Sequence, residues 1–406
     1  MSVVKSFRAT DGLFANAVFS ATDHAMMAEA LRLAERGRGI ASPNPHVGCV
    51  IVNAGRIIGR GFTQAGGRPH AEAAALAMCA MNGESTIGAT VYSTLEPCSL
   101  HANSRGPACS DLLINAKVAR VVSALHDPFH GVDGAGHDSL REAGIQVEIG
   151  LMTALAADQL KAFLKRVTQH KPWVTLKVAA SMDGKTALAN GESKWITGDD
   201  ARRDVHLLRS KVCAVMTGIG TALADNPELT VRNLPGDNRG NDALKIERQP
   251  LRILLDSRLD VRDGMKVLEG GNTMIVTASN NKVRAAALVA MGVEVVCVPT
   301  EPVKGKVDLA AMMQMLAKRP ARALNHIMVE TGAKLNGSLL EAGVVDEIIF
   351  YMGPSILGGS ARGIFAMQEL ERLRDKIALT ITDQRMVGGD LRITALVQNK
   401  QLLSTA

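Results

Sequence analysis

The sequence predicts an α/β protein built from two domains. Short runs of β-branched and aliphatic residues, for example 47–52 and 173–180, alternate with longer stretches of helical periodicity. That alternation is typical of sheets covered by helices. The chain has 406 residues, which is more than one hydrophobic core usually supports. A helical stretch ends at a His-Lys-Pro turn, so we expect a boundary near His170. The predicted division is an N-terminal extension, 1–22, a first domain, 23–169, and a second domain, 170–406.

The first domain begins with a predicted helix over 25–35, with Asp23 as its N-cap and Gly37 just beyond its end. An Asn-Ala-Gly turn at 53–55 joins two apolar runs, which predicts a β-hairpin. A second helix begins at His70. The following elements alternate between strand and helix: strand 89–95, helix 110–115, strand 119–125, helix 139–144 and strand 145–150.

The second domain continues this alternation and ends in an antiparallel hairpin about Gly388. Helices are predicted over 283–291 and 309–318, and the polar segments 217–232 and 233–249 are predicted as loops. The predicted strands that precede the hairpin are 173–180, 214–220, 251–257, 273–279, 293–299, 326–332 and 346–353.

Composition excludes several classes of function. Apolar residues make up 47% of the chain and charged residues 21%, as in ordinary globular proteins. Aromatic residues reach only 3%, which argues against surfaces that stack nucleic-acid bases. The net charge of +6 is scattered along the chain and suits small anionic ligands. No long apolar stretch and no dense cysteine pattern appears, so we expect a cytoplasmic protein without membrane or nucleic-acid partners.

Four residues predict a metal centre with a neighbouring acid. His70 and Glu72 begin a helix, Cys98 follows a strand and a proline, and ten residues separate Cys98 from Cys109. Catalytic zinc takes three His or Cys ligands and leaves one position for water. We therefore predict His70, Cys98 and Cys109 as ligands and Glu72 as the group that moves protons during a hydrolytic deamination. The alternative is two unrelated buried thiols beside a chance His-x-Glu pattern.

The motifs "SPNPHVGCVIV", "PHAE" and "TLEPCS…GPAC" resemble those of the bifunctional riboflavin-biosynthesis family, a pyrimidine deaminase fused to a reductase. The resemblance implies a cytidine-deaminase-like α/β/α sandwich followed by a dihydrofolate-reductase-like α/β domain, with Zn²⁺ and NADPH as cofactors. It also makes Asn44 a substrate contact. The family has a His where Leu100 stands, and "HANS" lengthens the cysteine loop by about two residues, which costs little closure entropy.

In the second domain, Arg202, His206 and Arg209 share one face of a predicted helix that Thr197 or Asp199 caps. This face is either a basic stripe at a binding site or an ordinary solvated surface. Arg209 and Arg232 together could form a two-pronged clamp for a phosphate. The segment 326–343 predicts a strand, a turn at Gly332 and a helix near 337–338, where backbone N–H groups could hold a phosphate.

The resemblance assigns residues of the second domain to two ligands. It implies these substrate contacts: Ser193, Arg209, Leu229, Arg232 and Glu330. It implies these NADPH contacts: Ala179, Trp195, Thr221, Asp225, Ser257, Gly332, Ala333, Lys334, Leu335, Asn336, Gly337 and Ser338. Without the resemblance, there is an alternative for each of two features. Trp195 could be an ordinary core aromatic, and the Gly332 turn could be a plain strand–turn–helix connection.

The implied activity has two steps on a phosphorylated pyrimidine. The first domain would deaminate 2,5-diamino-6-ribosylamino-4(3H)-pyrimidinone 5′-phosphate. The second would use NADPH to reduce the ribosyl group, which gives 5-amino-6-(5-phospho-D-ribitylamino)uracil. We expect a homo-oligomer, a dimer or a tetramer. Two alternatives are a nucleoside or tRNA deaminase with an unrelated second domain, and a basic nucleic-acid-binding protein with a structural zinc.

Overall fold

The computed structural model describes residues 18–99, 106–232, 234, 248–298, 305–320 and 322–398. Contacts between Cα atoms divide the chain into two compact units. The described residues of Met1–His170 and Ala321–Asn325 form the first unit, and those of Lys171–Pro320 and His326–Ala406 form the second. Within the described ranges, no helix combines the length and apolar character that a membrane span requires.

The first unit is a five-stranded mixed sheet with helices packed against it. In chain order the elements are α1 (Ala21–Gly37), β1 (Gly48–Asn53), β2 (Arg56–Phe62), α2 (Ala71–Met81), β3 (Thr90–Ser93), α3 (Cys109–Asn115), β4 (Arg120–Ser123), α4 (Ala135–Glu142), β5 (Gln146–Ile149) and α5 (Thr153–Gln169). Strands β1 and β2 form the predicted hairpin, β1 also pairs antiparallel with β3, and β3, β4 and β5 run parallel. The spatial order is β2-β1-β3-β4-β5.

Helix α1 begins earlier than the sequence predicts. Its N-cap is Ser20, and Asp23 is the third helical residue of a capping box: Asp23 N donates to Ser20 Oγ, and Ser20 N donates to Asp23 Oδ2 at 2.8 Å. Asp23 as N-cap was therefore wrong. Its carboxylate also accepts hydrogen bonds from Tyr92 and Arg120, so it faces the sheet.

Close approach at a glycine places helix α2 on the sheet. A Cβ on Gly61 would lie 2.2 Å from the carbonyl oxygen of Ala71, so only glycine allows β2 to pass this close to the start of α2. The first turn of α2 carries Glu72, and His70 is its N-cap. This packing fixes both residues with respect to the core of the first unit.

The second unit is built around a nine-stranded sheet. Its elements in chain order are β6 (Trp173–Ser181), β7 (Lys185–Ala187), α6 (Asp199–Ser210), β8 (Ala214–Gly218), α7 (Ile219–Asp225), β9 (Leu251–Leu255), β10 (Thr273–Thr277), α8 (Lys282–Ala290), β11 (Glu294–Cys297), α9 (Leu309–Lys318), β12 (His326–Glu330), α10 (Ala333–Glu341), β13 (Glu347–Gly353), β14 (Arg362–Gly363), β15 (Ala378–Val387) and β16 (Asp390–Gln398). The strand order in the sheet is β11-β10-β9-β8-β12-β6-β13-β16-β15. Strands from β11 to β13 are parallel, and the last two pairings are antiparallel, as the terminal hairpin predicts.

Three local predictions in the second unit were wrong. Helix α6 has Gly198 as its N-cap, not Thr197 or Asp199. Helix α10 begins directly after Gly332 rather than near 337–338, so Asn336 and Gly337 are buried residues in the middle of the helix. Helix α7 lies in the segment that was predicted as a polar loop. Its Ala222 is buried, so the helix has an apolar contact that the polar sequence did not indicate. Most of the predicted loop 233–249 is outside the described residues.

Candidate active sites

The predicted metal ligands converge in the first unit. His70 precedes α2, Cys98 lies in the loop after β3, and Cys109 begins α3. The Nδ1 atom of His70 is 3.5 Å from the sulfur of Cys98 and 3.4 Å from that of Cys109. The three donor atoms all lie within 4.8 Å of one another. The three elements thus bring together residues that are far apart in the sequence.

These distances fit a zinc ion. With Zn–S of about 2.3 Å and Zn–N of about 2.0–2.1 Å, a tetrahedral site separates the N and S ligands by about 3.5 Å. Hydrogen bonding from Cys109 and His70 lowers the pKa of the Cys98 thiol, which favours the thiolate that a metal ion binds. The pKa of Cys109 is raised by the same hydrogen bond, because two adjacent sulfurs do not both carry a negative charge until a cation lies between them.

Glu72 is a buried acid beside these ligands. Its side chain is almost inaccessible to solvent, and its Oε1 accepts a hydrogen bond from Ser93 Oγ at 2.9 Å. After Cys98 and burial, the charge of Glu72 also helps to raise the pKa of Cys109, so the carboxylate is near that thiol. Burial raises the pKa of Glu72, which suits a group that takes up and returns a proton near neutral pH.

Two further predictions concern the surroundings of this centre. Asn44 is half-buried and donates from Nδ2 to the carbonyl of Gly67, in the segment that leads to His70. Its contact with substrate stays a prediction. Leu100 and the "HANS" segment lie outside the described residues.

The second unit contains a cleft of about 1470 Å³ at the carboxyl ends of its parallel strands. Such edges are the usual ligand sites of open α/β sheets. Most residues that the resemblance assigns to the substrate or to NADPH line this cleft: Ala179, Ser193, Arg209, Thr221, Asp225, Leu229, Ser257, Glu330, Gly332, Ala333, Lys334, Leu335 and Ser338.

Four assigned residues do not line the cleft. Trp195 is 71% exposed, so it is not a core aromatic, and the guanidinium of Arg202 stacks 4.3 Å from its ring centroid. Arg232 pairs with an acid at the surface. Asn336 is buried and donates to a backbone carbonyl at 364. Gly337 lies against Ala366, where a Cβ would come within 2.1 Å of the carbonyl oxygen.

Each residue of the predicted phosphate clamp has a carboxylate partner. Arg209 makes a two-pronged ion pair with Glu330, at 2.6 and 3.1 Å, and also donates to Thr230 O. Arg232 donates to Glu228 at 3.0 Å and to Thr230 Oγ1 at 3.4 Å. Both guanidinium groups therefore contact Thr230, and their joint binding of a phosphate stays a prediction.

The predicted basic stripe on α6, formed by Arg202, His206 and Arg209, is not a continuous positive surface. Burial, reinforced by Arg209, lowers the pKa of His206 to about 4, so its ring is neutral at pH 7. Its Nδ1 accepts a hydrogen bond from the backbone N–H of Arg232. Arg202 is turned toward Trp195, as described above. The three side chains share a helix face but have separate partners.

The sequence did not single out Lys177, although it lines the cleft. Its Nζ lies 3.9 Å from the carboxylate of Glu330. Burial lowers the pKa of Lys177. Burial opposes ionisation of Glu330, but Arg209 and Lys177 outweigh it and lower the pKa of Glu330 to about 2. A lysine inside the apolar run "WVTLKVAA" was the available clue.

Two groups of the cleft suit phosphates. The free backbone N–H groups at the start of α10 follow Gly332, and the hydroxyls of Thr221 and Thr331 lie 3.5 Å apart beside it. Toward β9, the cleft is lined by Ser257, Arg258 and Lys306. The sequence had not predicted Arg258 and Lys306 as residues of a binding site.

Comparisons with known proteins agree with this geometry. Residues 20–125 match the family model of the "cytidine and deoxycytidylate deaminase zinc-binding region", and residues 172–387 match the "RibD C-terminal domain". The chain is 43% identical to the riboflavin biosynthesis protein RibD of Escherichia coli, over 91% of this chain and 98% of the relative. It is 39% identical to RibD of Haemophilus influenzae, over 93% of this chain and 98% of the relative.

Solved structures extend the likeness to three dimensions. RibD of Acinetobacter baumannii, form 1, has a TM-score of 0.82 at 37% identity, covering 93% of this chain and 99% of that one. A deaminase/reductase of Thermotoga maritima has a TM-score of 0.78 at 29% identity, with the same coverage. The predicted fold class is confirmed, and so are the cofactors Zn²⁺ and NADPH. The chain therefore belongs to the RibD family and is a bifunctional deaminase and reductase of riboflavin biosynthesis.

Proposed function

We propose that the first domain deaminates 2,5-diamino-6-ribosylamino-4(3H)-pyrimidinone 5′-phosphate and that the second reduces the product to 5-amino-6-(5-phospho-D-ribitylamino)uracil. The observation that carries the proposal is the convergence of His70, Cys98 and Cys109 beside the buried acid Glu72. The cleft of the second unit, with its phosphate-binding turn and buried Lys177, supports the second step.

In the deaminase step, His70, Cys98 and Cys109 would hold zinc, which would supply hydroxide from water near neutral pH. Glu72 takes one proton of the attacking water on its carboxylate and gives it to the amino group, which leaves as ammonia. The other water proton ends on the ring nitrogen of the lactam. Ser93 holds Glu72 by its hydrogen bond, so the carboxylate points in one direction throughout. Burial of Glu72 keeps bulk water away from the proton transfer.

In the reductase step, backbone N–H groups at the start of α10 would hold the diphosphate of NADPH, which would supply a hydride for C1′. The ion pair of Arg209 and Glu330 forms the base of the substrate site. Lys177 donates a proton to the ribose ring oxygen as the bond from C1′ to that oxygen breaks. One hydride and one proton would thus be consumed in each turnover.

We assign binding of the 2′-phosphate on the adenosine of NADPH to the end of the cleft near β9. Val307 N donates to Ser257 Oγ at 3.4 Å, which brings the segment that carries Lys306 next to Ser257 and Arg258. Two cations beside a hydroxyl suit the phosphate that distinguishes NADPH from NADH. Ser257, Arg258 and Lys306 are therefore our candidates for cofactor selectivity.

Several broader expectations remain part of this proposal. They are a cytoplasmic location, a dimeric or tetrameric assembly, the domain boundary near His170, and the lack of nucleic-acid and membrane partners. A phosphorylated small-molecule substrate agrees with the net charge of +6.

A paired assay tests the two steps. Ammonia release and NADPH oxidation are followed for the native chain and for Glu72→Gln, with the diaminopyrimidinone ribosylamine phosphate as substrate. We expect both signals from the native chain. The variant should lose about 10²–10⁴-fold in ammonia release but should oxidise NADPH when given the deaminated intermediate. Ammonia without NADPH oxidation would contradict the second step, and no ammonia from the zinc-loaded native chain would contradict the first.

A further inference from the structure

A second cluster of polar side chains lies in the first unit. It consists of Glu96, His126 and His137, whose potential ligand atoms lie within 4.8 Å of one another. Glu96 stands two residues before Cys98, in the loop after β3. The deamination chemistry described above uses none of these three side chains.

The Glu96 carboxylate is held by four backbone N–H groups. Its Oε2 accepts from Asp127 N at 3.1 Å and from Gly134 N at 3.2 Å. Its Oε1 accepts from Gly136 N at 3.0 Å and from His137 N at 3.3 Å. The side chain is 0% exposed, and three of the donors surround the start of α4. A negative group at a helix start gains from the helix dipole as well as from the hydrogen bonds.

This arrangement is an anchor rather than a second metal site. Each oxygen of Glu96 already accepts two N–H groups, which leaves little room for a cation. His126 contributes a further contact, 3.2 Å from Nδ1 to Oε2, while the His137 ring stands farther away at 3.6 Å. Burial lowers the pKa of His137 to about 3, so that ring is neutral.

The residue after Glu96 is pressed against the same helix start. A Cβ on Gly136 would lie 1.8 Å from the carbonyl oxygen of Pro97, so glycine is required for this approach. Glu96 and Pro97 are thus both fastened to the start of α4. Cys98 comes next in the chain, and its position depends on theirs.

On its other side, Cys98 is attached to the start of α3. Ser110 N donates to the carbonyl of Cys98 at 3.1 Å, and Cys109 N donates to its sulfur at 3.4 Å. The sulfur of Cys98 is therefore set between two helix starts. One is reached through Glu96 and Pro97, and the other carries the second cysteine.

We propose that Glu96 is a positioning residue for the zinc site. By fastening the loop before Cys98 to α4, it holds the Cys98 sulfur at the distance from His70 that a tetrahedral ion requires. The inference rests on the proposed zinc site. Mutation of a group that orients a metal ligand through hydrogen bonds lowers the affinity for the metal by about 10- to 100-fold.

Zinc affinity of the apo-protein tests this directly. Glu96→Gln replaces one acceptor oxygen by an NH₂ group that faces two N–H donors. We expect the Kd for Zn²⁺, measured by competition with a chelating dye, to rise about 10- to 100-fold. With Co²⁺ as the probe, the absorption bands of a tetrahedral thiolate site should weaken. Glu148→Gln is the matched control, because it removes an acid that pairs with Arg120, and it should bind both ions like the native chain.

A second control separates positioning from stability. Leu140 is a fully buried residue of the same helix, and Leu140→Ala should lower the Tm while the folded protein keeps the native Kd for Zn²⁺. Equal zinc affinity in the native chain and Glu96→Gln would overturn the inference. An equal loss in Leu140→Ala would also overturn it, since the effect would then come from stability. Failure of the native chain to bind zinc would instead contradict the zinc site itself.

Discussion

At the residue scale, the cleft of the second unit has a buried group of charges at its base. Arg209 and Lys177 both face the carboxylate of Glu330, at 2.6 and 3.9 Å. Burial lowers the pKa of the Lys177 amine, so it gives up its proton more readily than an amine in water. The lysine is therefore the member of this group that is suited to donate a proton.

Lys177→Gln should lower the reductase kcat by about 10²–10⁴-fold, because the variant has no acid at this place. Burial lowers the pKa of Lys177 from its usual 10.5, so the native kcat should fall as pH rises through that lowered value and the ammonium loses its proton. Lys177→Arg stays protonated over this range and should not show the alkaline fall. The measurement is the pH profile of kcat with the deaminated intermediate. The same alkaline fall in Lys177→Arg would exclude Lys177 as the donor.

Cofactor selectivity can be tested at the other end of the cleft. Arg258→Ala combined with Lys306→Ala should weaken binding of adenosine 2′,5′-bisphosphate about tenfold or more and leave binding of 5′-AMP unchanged, because only the former carries the 2′-phosphate. Calorimetric titration measures both, without need of catalysis. Lys282→Ala removes an exposed cation from α8, outside the cleft lining, and serves as the control. Equal weakening of both nucleotides would contradict the assignment.

At the element scale, Asp23 joins helix α1 to the sheet. Its carboxylate closes the capping box with Ser20 and accepts hydrogen bonds from Tyr92 and from Arg120, at 2.7 Å each. The sequence identified the residue as part of a helix start, because acids are common there. It did not show the partners on the sheet, which lie about 70 and 100 positions away and meet Asp23 only after folding.

Asp23→Ala should destabilise the first domain by about 2–3 kcal/mol, because it removes charge-assisted hydrogen bonds from a buried place. Its partners, with Arg120 first, outweigh burial and lower the pKa of Asp23 below its usual 3.8. The native chain should thus keep this contribution above pH 3.8 and lose it as pH falls through the lowered value, so native and variant converge in acid. Urea unfolding at several pH values measures the difference. Glu29→Gln, at an exposed ion pair of the same helix, should cost less than about 1 kcal/mol.

At the scale of the whole molecule, the two units have separate cores and separate sites. The proposed zinc ligands and Glu72 belong to the first unit, while every residue that lines the large cleft belongs to the second. Loss of one site should therefore leave the chemistry of the other intact.

Removal of zinc tests this independence. After dialysis against a chelator, the protein should release no ammonia, because the water ligand that attacks the ring is lost. It should still oxidise NADPH at the native rate when given the deaminated intermediate. Zinc returned in equimolar amount should restore ammonia release. A parallel loss of reductase activity in the zinc-free protein would show that the two sites depend on each other.

The sequence alone predicts the alternation of elements, the terminal hairpin and the cluster of His70, Cys98 and Cys109 that the structure brings together. These features are local: hydrophobic periodicity, turn residues and short motifs depend on neighbours in the chain. Three contacts came to light only in the folded chain: Arg209 pairs with Glu330, Lys177 lines the cleft, and Glu96 is fastened to α4. Each of these contacts joins segments distant in sequence. Their geometry follows from how strands pair and helices pack, which no local pattern records.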